Sequence, residues 1–599
     1  MKYIKNSALS FALLMAGVLN GQTKIDPTLE VKRDFDGKIQ EFSKSRLNTQ
    51  IPDSVRSFNI NMEYSIFNKP MKDLYEFSPL PSAQLVSTGG KKLPFFYTKF
   101  GIGLPAAPEF ELRIQPNIGH KSALLLNLDH NSFLGDLPLT YINGNSTGAS
   151  DFKANGQNMK NNLGIKFGQF WSKGEFTINL DYKKDYFTYY GLNQSLVEDF
   201  FLINGNSDFN INNMSNQKFM RDSLSHTYEK VSASFNLKST NPNKDAFYYN
   251  LSAGISVLND KPSLYKELLA PDFNEKYVNV SFILGPAFTG RHKFQLGINY
   301  QGASTIHTNI FDRGNIEIFP VYKFEYKLLK LDASVKYNHY FSYESDTARS
   351  NIYVKANLQA ELIKNDLWFF ARVDGGNIFH TYQKQIAINP WLSPKVELFS
   401  TNIPYSVQAG FSGQFNHRFT YSIYGGYTKL EKSPYYYRSS DERSIFDSNS
   451  NPYENPHHNL LLIGYADYTK VNFTGEFNWK SEEFYSGLNI SVNSFKTEDG
   501  TNVYDQSPLV VDGFARYNFR ERIIIGGELQ FKGKRYAKFD TDDFYLPAFY
   551  KINLDATYVY DKNLSFYLKL NNLLNTKEFT YLFYKQIGIN IGAGISLKF

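Results

Sequence analysis

Few residues in this chain have the type and spacing to do chemistry, and they sit in polar stretches between alternating runs. His457 and His458 adjoin each other near Glu454. Imidazole is the usual proton carrier near neutral pH and a common metal ligand. Neighbouring residues on an extended chain point to opposite sides, so the two rings do not readily share one ion. They read as a solvated loop pair. Asp441 and Glu442, and further on Asp540, Asp542 and Asp543, offer the oxygen ligands that calcium takes. Their spacing matches no calcium loop, and they read as acidic loop tips. The chain has no cysteine, which excludes disulfides and thiolate metal sites. No nucleophile elbow in a strand-to-helix setting stands out. The sequence therefore assigns no catalytic residue, no metal ligand and no cofactor.

Aromatic clusters are the stronger recognition features. Tyr186, Tyr189 and Tyr190 group with Phe187; Tyr435, Tyr436 and Tyr437 are consecutive; Phe579, Tyr581, Phe583 and Tyr584 follow near the end. Such rings stack on sugars or grip a protein partner. The competing reading is an aromatic girdle at a membrane–water boundary.

The elements that carry these clusters are strands. Tyr353, Lys355, Asn357, Gln359 and Glu361 alternate with Val354, Ala356, Leu358, Ala360 and Leu362. Phe176, Ile178, Leu180 and Tyr182 alternate in the same way with Thr177, Asn179, Asp181 and Lys183. One face of each run is apolar and the other is charged, so the second face is not a dry core. Counting back from Phe599 gives about 22 such runs, beginning near residue 94, an even number as a single-chain membrane barrel requires. Tight turns such as 172–174, 416–418, 480–482, 520–522 and 561–563 alternate with longer polar stretches at 132–159, 189–225, 260–275, 383–403, 434–460 and 538–546. The predicted fold is all-β: a transmembrane antiparallel barrel with short periplasmic turns and long extracellular loops.

The amino-terminus agrees. A basic start, Met1–Lys5, precedes the apolar stretch Ala8–Leu19, which is too short to span a bilayer. Residues 1–21 read as a signal peptide, 22–93 as a periplasmic or lumenal segment, and 94–599 as the barrel. Aromatics make up 17% of the chain, a load suited to a membrane interface. Charge is nearly balanced, 64 Lys and Arg against 58 Asp and Glu, and no basic stripe points to nucleic acid. Inward charges of mixed sign, among them Arg113, Asp181, Lys183, Lys355 and Glu361, suit a lumen bridged by its own residues or filled by the amino-terminal segment.

The closing stretch resembles TonB-dependent receptors. Leu570-Asn571-Asn572-Leu573-Leu574-Asn575 matches the signature on the penultimate strand of that family, and Leu597-Lys598-Phe599 matches its aromatic ending. The start of the barrel, Phe96–Leu104 followed by Pro105-Ala106-Ala107-Pro108, is similar to receptor-like proteins of Bacteroidota. The resemblance implies an outer-membrane barrel with both termini periplasmic, and binding or passage of a solute. Phe599 and Leu597 would then form the signal read by the barrel-insertion machinery. The family carries a plug domain before the barrel; here only residues 23–93 precede the first strand, which implies a plug reduced or absent and leaves TonB coupling open. A scaffold role, with the long loops or residues 23–93 binding a surface lipoprotein or periplasmic partner, is the alternative. An outer-membrane hydrolase is the remaining one, resting on His457 and His458 alone.

Overall fold

The structure is a computed structural model. It describes residues 94–599 except 144–145, 189–224, 240–246, 263–272, 287–291, 306–311, 343–346, 394–395, 439–460, 540 and 577–578. The expected signal peptide and the segment 22–93 lie outside the described residues, as do Tyr189, Tyr190, Asp441, Glu442, Asp540, His457 and His458.

The first eleven strands are β1 (Phe96–Leu104), β2 (Glu109–Ile114), β3 (Ser122–Asn143), β4 (Ser146–Trp171), β5 (Gly174–Thr188), β6 (Ser225–Ser239), β7 (Phe247–Pro262), β8 (Phe273–Pro286), β9 (His292–Thr305), β10 (Arg313–Tyr326) and β11 (Leu329–Ser342). The rest are β12 (Thr347–Ile363), β13 (Leu367–Ile378), β14 (Thr401–Phe415), β15 (Phe419–Arg438), β16 (Leu462–Lys480), β17 (Phe484–Thr497), β18 (Leu509–Phe519), β19 (Ile523–Lys532), β20 (Phe549–Val559), β21 (Leu564–Asn571) and β22 (Asn590–Lys598). Each pairs antiparallel with its sequence neighbours, and β1 pairs with β22 to close the ring at 22 strands. A hairpin of Arg535–Phe539 and Asp542–Leu546 belongs to the same sheet but stands outside the ring. Every expected run is found as a strand.

The alternation seen in the sequence sorts the wall into two faces. On β12, Ile352 is 71% exposed and Val354 54%, while Tyr353 between them is 2% exposed. Leu180, Val231, Val471, Phe473 and Ile525 join the outward apolar set. A surface this apolar needs lipid rather than water against it. The inner face carries ion pairs between strands one or two places apart in the wall. Arg113 pairs with Asp129, Lys336 with Asp374, and Arg516 with Asp555. Near the seam Glu109 binds both Lys99 (3.6 Å) and Lys569 (2.6 Å). Charges that neutralise one another along a wet wall avoid the cost of an unpaired charge against hydrocarbon.

The tight turns that follow β4, β10, β12, β14, β16, β18 and β20 fall on one rim, together with Phe96 and Phe599. There the Phe96 amide donates to Phe599 and the Phe599 amide to Phe96, at 3.2 and 2.8 Å. Long connections fall on the opposite rim, the mouth. Besides the hairpin that takes up most of 538–546, two of them differ from the expected polar loops. The stretch 132–159 is not a loop: β3 and β4 stay paired up to Asn143 and Ser146, beyond where β2 and β5 stop pairing with them. This ribbon extends past the wall, with Phe133 and Leu137 buried at its base. Its two strands satisfy each other's backbone groups, which removes the need for further neighbours on that side. The other difference is 383–403. The β13 strand stops at Ile378, short of the expected 382, and a helix, α1 (Tyr382–Ile388), follows.

Candidate functional site

The connection between β13 and β14 folds into the mouth. Thr381 caps α1, its hydroxyl accepting from the Lys384 amide at 3.3 Å. The Glu275 carboxylate of β8 accepts from the amides of Tyr382 (2.7 Å) and Gln383 (2.9 Å). These amides have no partner within the helix, and a carboxylate at a helix start is favoured by the peptide dipoles. Glu275 is fully buried, and Arg313 of β10 lies 3.6 Å from it. Arg313 also donates to the carbonyls of His380 (3.2 Å) and Leu398 (3.0 Å), so one guanidinium holds both ends of the connection.

Further bonds run to β6 and β7. The Tyr382 hydroxyl donates to Asp260 at 2.6 Å, and Asp260 also meets His226. Ser256 donates to the Gln383 side chain at 2.7 Å, and Tyr228 to the Pro390 carbonyl at 2.7 Å. The other side of the connection is held as firmly. Tyr436 of β15 donates to Gln385 at 2.8 Å, and Tyr581 to the Ile388 carbonyl at 3.1 Å. Trp391 stacks on Tyr584 with centroids 4.2 Å apart, and Leu392 bridges to Leu461, just before β16.

One apolar cluster therefore joins Phe187 of β5, Tyr228 of β6, Leu258 of β7, Tyr382, Leu392 and Leu461. In a ring of 22 strands β5 and β16 are diametrically opposite, so this cluster crosses the lumen. The 379–400 connection is a wedge bolted to both sides of the mouth.

A directed chain of hydrogen bonds runs through it. Tyr436 donates to Gln385, the Gln385 amide meets His380 Nδ1 at 2.8 Å, His380 Nε2 meets Thr401 at 2.8 Å, and Thr401 donates to the Lys432 carbonyl. Gln385 spends its acceptor on Tyr436, so it offers an N–H to His380 Nδ1, which a neutral ring accepts. Burial, with Lys384 and Arg313 nearby, pushes the His380 pKa down to about 3, in keeping with that neutral state. Burial and the Asp260 charge push the Tyr382 hydroxyl well above its usual value.

The neighbouring loops form a second assembly. The Asp505 carboxylate accepts from the Tyr436 amide at 2.8 Å, and burial pushes its pKa up to about 6. Tyr504 and Asn502 both donate to Asp543. Arg535 donates to the carbonyls of Phe579 and Thr580, and Arg438 lies 4.6 Å from the centre of the Phe583 ring. Among the described residues no group of three or more His, Asp or Glu is arranged to hold a metal ion.

The residues singled out from sequence fall at the mouth and the seam. Tyr186 lies on β5, and Tyr435, Tyr436 and Tyr437 end β15. Tyr436 is buried against the wedge, while Tyr435 packs on Tyr504 at 4.8 Å. The Leu570–Asn575 stretch straddles the end of β21 and the start of the last long connection. Asn572 and Asn575 both have φ of 51°, a conformation asparagine tolerates better than most residues. The Asn572 side-chain Nδ2 donates to the carbonyls of Thr576 (2.7 Å) and Ile587 (2.8 Å), and the Asn575 side chain accepts from the Ile589 backbone amide at 3.0 Å. Asn571 donates to Asn590 across the β21–β22 pair, and the Leu573 amide donates to the Ile552 carbonyl on β20. The motif is a brace that closes the 572–589 loop. Phe599 packs near Phe96 with centroids 6.3 Å apart, and Leu597 faces Leu564 and Thr98 in register.

Sequence reasoning missed the wedge residues Glu275, Arg313, His380, Tyr382 and Gln385. The available signal was apolar content: Ile386, Ile388, Trp391, Leu392, Val396 and Leu398 are too many large side chains for a solvated loop.

No family model matches this chain, and no curated protein matches its sequence. Solved structures do match. The FrpB iron transporter from Neisseria meningitidis, as apoprotein, aligns with a TM-score of 0.58 at 10% identity, over 85% of this chain and 82% of that one. The ferric-catecholate import receptor Fiu from E. coli K12, in its closed form, gives the same TM-score, identity and coverage. The copper transporter OprC gives 0.58 at 8% identity, again over 85% and 82%. The chain has the fold of these transporters. At such identity the likeness concerns the fold alone, and the wedge is described from this chain's own residues.

Proposed function

We propose that this protein is an outer-membrane receptor-like barrel that binds a solute at its mouth and passes it through the lumen, with the 379–400 wedge as the closure. The observation that carries this reading is the cluster crossing the lumen from β5 to β16. A transport barrel needs a wide wet lumen and a means of shutting it; the paired charges of the inner wall suit the first and the wedge suits the second. The shared fold of iron, copper and ferric-catecholate transporters and the Leu570–Asn575 brace support the same reading. In this orientation the short-turn rim, with Phe599, faces the periplasm, and coupling to TonB would act from that side through residues 23–93. Conductance in planar bilayers tests the proposal. The intact chain is expected to be closed, and removal of residues 381–398, bridged by a short glycine linker, to open a large conductance. A chain that stays closed without the wedge, and also without residues 23–93, ends the transport reading.

The β3–β4 ribbon favours a second reading, a scaffold for a surface complex. Its strands stand beyond the wall, where an open strand edge is a template for another chain. Mild-detergent pull-down separates the two readings: a barrel recovered alone from its native membrane counts against the scaffold.

A further inference from the structure

The wall breaks register along one line, at the root of the wedge. Between β13 and β14 the pairing jumps from Asp374–Ser406 to Gly376–Ile403. Between β14 and β15 it jumps from Ser406–Thr428 to Asn402–Glu431, and between β15 and β16 from Leu430–Tyr468 to Ser433–Ala466. Three consecutive strand pairs are thus creased at one height. Among the described residues, the ring's other register shifts lie at the short-turn end of β12–β13 and in the β3–β4 ribbon. An extra residue in one strand interrupts the ladder and bends it. Pro404, inside the crease, has no N–H to give. A Cβ on Gly375 would lie 2.9 Å from the Pro404 carbonyl oxygen and 3.0 Å from the Tyr353 ring, whereas one on Gly376 would come near only the Lys336 Nζ, at 3.7 Å. Above the crease β13 leaves its other neighbour, since its uppermost pair with β12 is Val373–Ala356. Gly376, Asn377 and Ile378 pair with Ile403, Asn402 and Thr401, and this short stem carries the wedge. A small set of bonds pins the stem sideways. Asn402 accepts from the Tyr353 hydroxyl at 2.6 Å and donates to Glu431 at 2.6 Å, while Asn377 donates to Asn315 at 3.0 Å. At the crease itself Lys336 donates to Asp374 and to the Gly375 carbonyl, both at 2.8 Å.

We propose that the wedge opens as one flap, residues 376–403, swinging about this crease, with Asn402 as the catch that holds its stem to the wall. The inference deepens the closure reading given above and rests on it for what the motion achieves, though not for where the hinge lies. Bending at the crease breaks no continuous ladder, because the ladder is already interrupted there on three strand pairs. Hinges are a few residues at element ends that absorb the backbone change, and Gly375 with Gly376 stands at that point of β13. The bonds within the flap travel with it. The Gln385–His380 and His380–Thr401 bonds, both 2.8 Å, tie α1 to the two strands of the stem. The bonds that must part all run outward, to Glu275 and Arg313 on one side, to Asp260 and Tyr228 beyond them, and to Tyr436 on the other. Asn402 differs from these in gripping the stem itself, between Tyr353 of β12, which is 2% exposed, and Glu431 of β15.

Hydrogen exchange of the full chain in nanodiscs, compared between wild type and Glu275→Ala, tests this. Exchange in the variant is expected to quicken over the wedge and on through 376–378 and 401–403, and to stop at the crease, with 367–373 and 407–415 as protected as in the wild type. Asn402→Ala alone should quicken exchange over the same stretch roughly tenfold, the worth of one or two hydrogen bonds to buried groups. Quickening confined to 379–400 means that the wedge melts by itself, and quickening that runs down β13 and β14 means that the wall unzips; either overturns the proposal. So does unchanged exchange in both variants. Should Glu275→Ala not fold, as read by heat-modifiable gel mobility, Asn402→Cys with Glu431→Cys decides, in a chain that has no other cysteine. These residues face each other in register. Reduced, the pair lacks the catch; oxidised, it should restore protection over all of 376–403, and restoration limited to 400–403 rejects the flap. Conductance separates the two readings. A silent Glu275→Ala channel whose exchange stops at the crease removes the closure and keeps the hinge, while an opening channel whose exchange is confined to 379–400 removes the hinge alone.

Discussion

The wall and the mouth of this barrel use the same kinds of side chain to opposite ends. On the wall, Arg113 and Asp129 pair while each keeps about a third of its side chain exposed. At the mouth, Arg313 and Glu275 are almost wholly buried and are surrounded by backbone groups that need them. A wet pair gains little and loses little when broken, because water replaces the partner. A buried pair is costly to assemble, and removing one member strands the other without water. The wall is thus tolerant and the mouth is brittle, which is what the proposed conduit with a releasable closure would require.

Substitutions can break or sharpen that contrast. The largest effect is expected from Glu275→Ala, which strips buried Arg313 of its counter-charge and leaves two helix amides unpartnered; about 3–5 kcal/mol should be lost from wedge docking. Single-channel recording should then show openings absent from the wild type, and a silent Glu275→Ala channel would mean the wedge is not the closure. Acid comes next. The folded pKa of His380 is lowered to about 3, so the stability it protects is present above its unfolded value near 6.5 and is lost as pH falls toward 3. At pH 5 the loss is about 2 kcal/mol, because a protonated ring would face the Gln385 amide donor for donor. Hydrogen exchange of the 379–400 amides should therefore quicken between pH 7 and pH 5, and His380→Gln should flatten that dependence.

Asp505 behaves with the opposite sign. Its folded pKa is raised to about 6, so its favourable contribution exists at low pH and is lost as pH rises through 6. Asp505→Asn keeps an acceptor for the Tyr436 amide and removes the buried charge. It is expected to raise the melting temperature at pH 8 and to leave it unchanged at pH 4; a lower melting temperature at pH 8 would refute this account. The smallest effect belongs to the wall. Arg113→Ala should cost no more than about 1 kcal/mol, and salt should shrink the difference further. A cost matching that of Glu275→Ala would erase the distinction between wall and mouth.

The wall was legible in the sequence because its physics is local. Tyr353 and Val354 are neighbours with opposite surroundings, and a period of two announces it. The mouth was not legible for the reverse reason. Glu275 and Tyr382 are far apart in the chain, and nothing near Glu275 tells that its oxygens will cap a distant helix. The ribbon was hidden differently: Gly135, Pro138, Gly148 and Gly156 give 132–159 the composition of a loop, although its strands remain paired. The Leu570–Asn575 motif was visible as a signature, while its work as a brace depends on the left-handed backbone at Asn572 and Asn575.

The seam between β1 and β22 sets a condition on biosynthesis. Tyr97 lies beside Lys598, and the Lys569–Glu109 bond joins residues 460 positions apart. Loop closure over such a span is entropically slow and cannot precede synthesis of the last strand. Until then the sheet has two bare edges and an apolar outer face, the combination most prone to pairing with other chains. Until its ring closes the chain needs those edges covered, and closure comes only when Phe599 reaches Phe96.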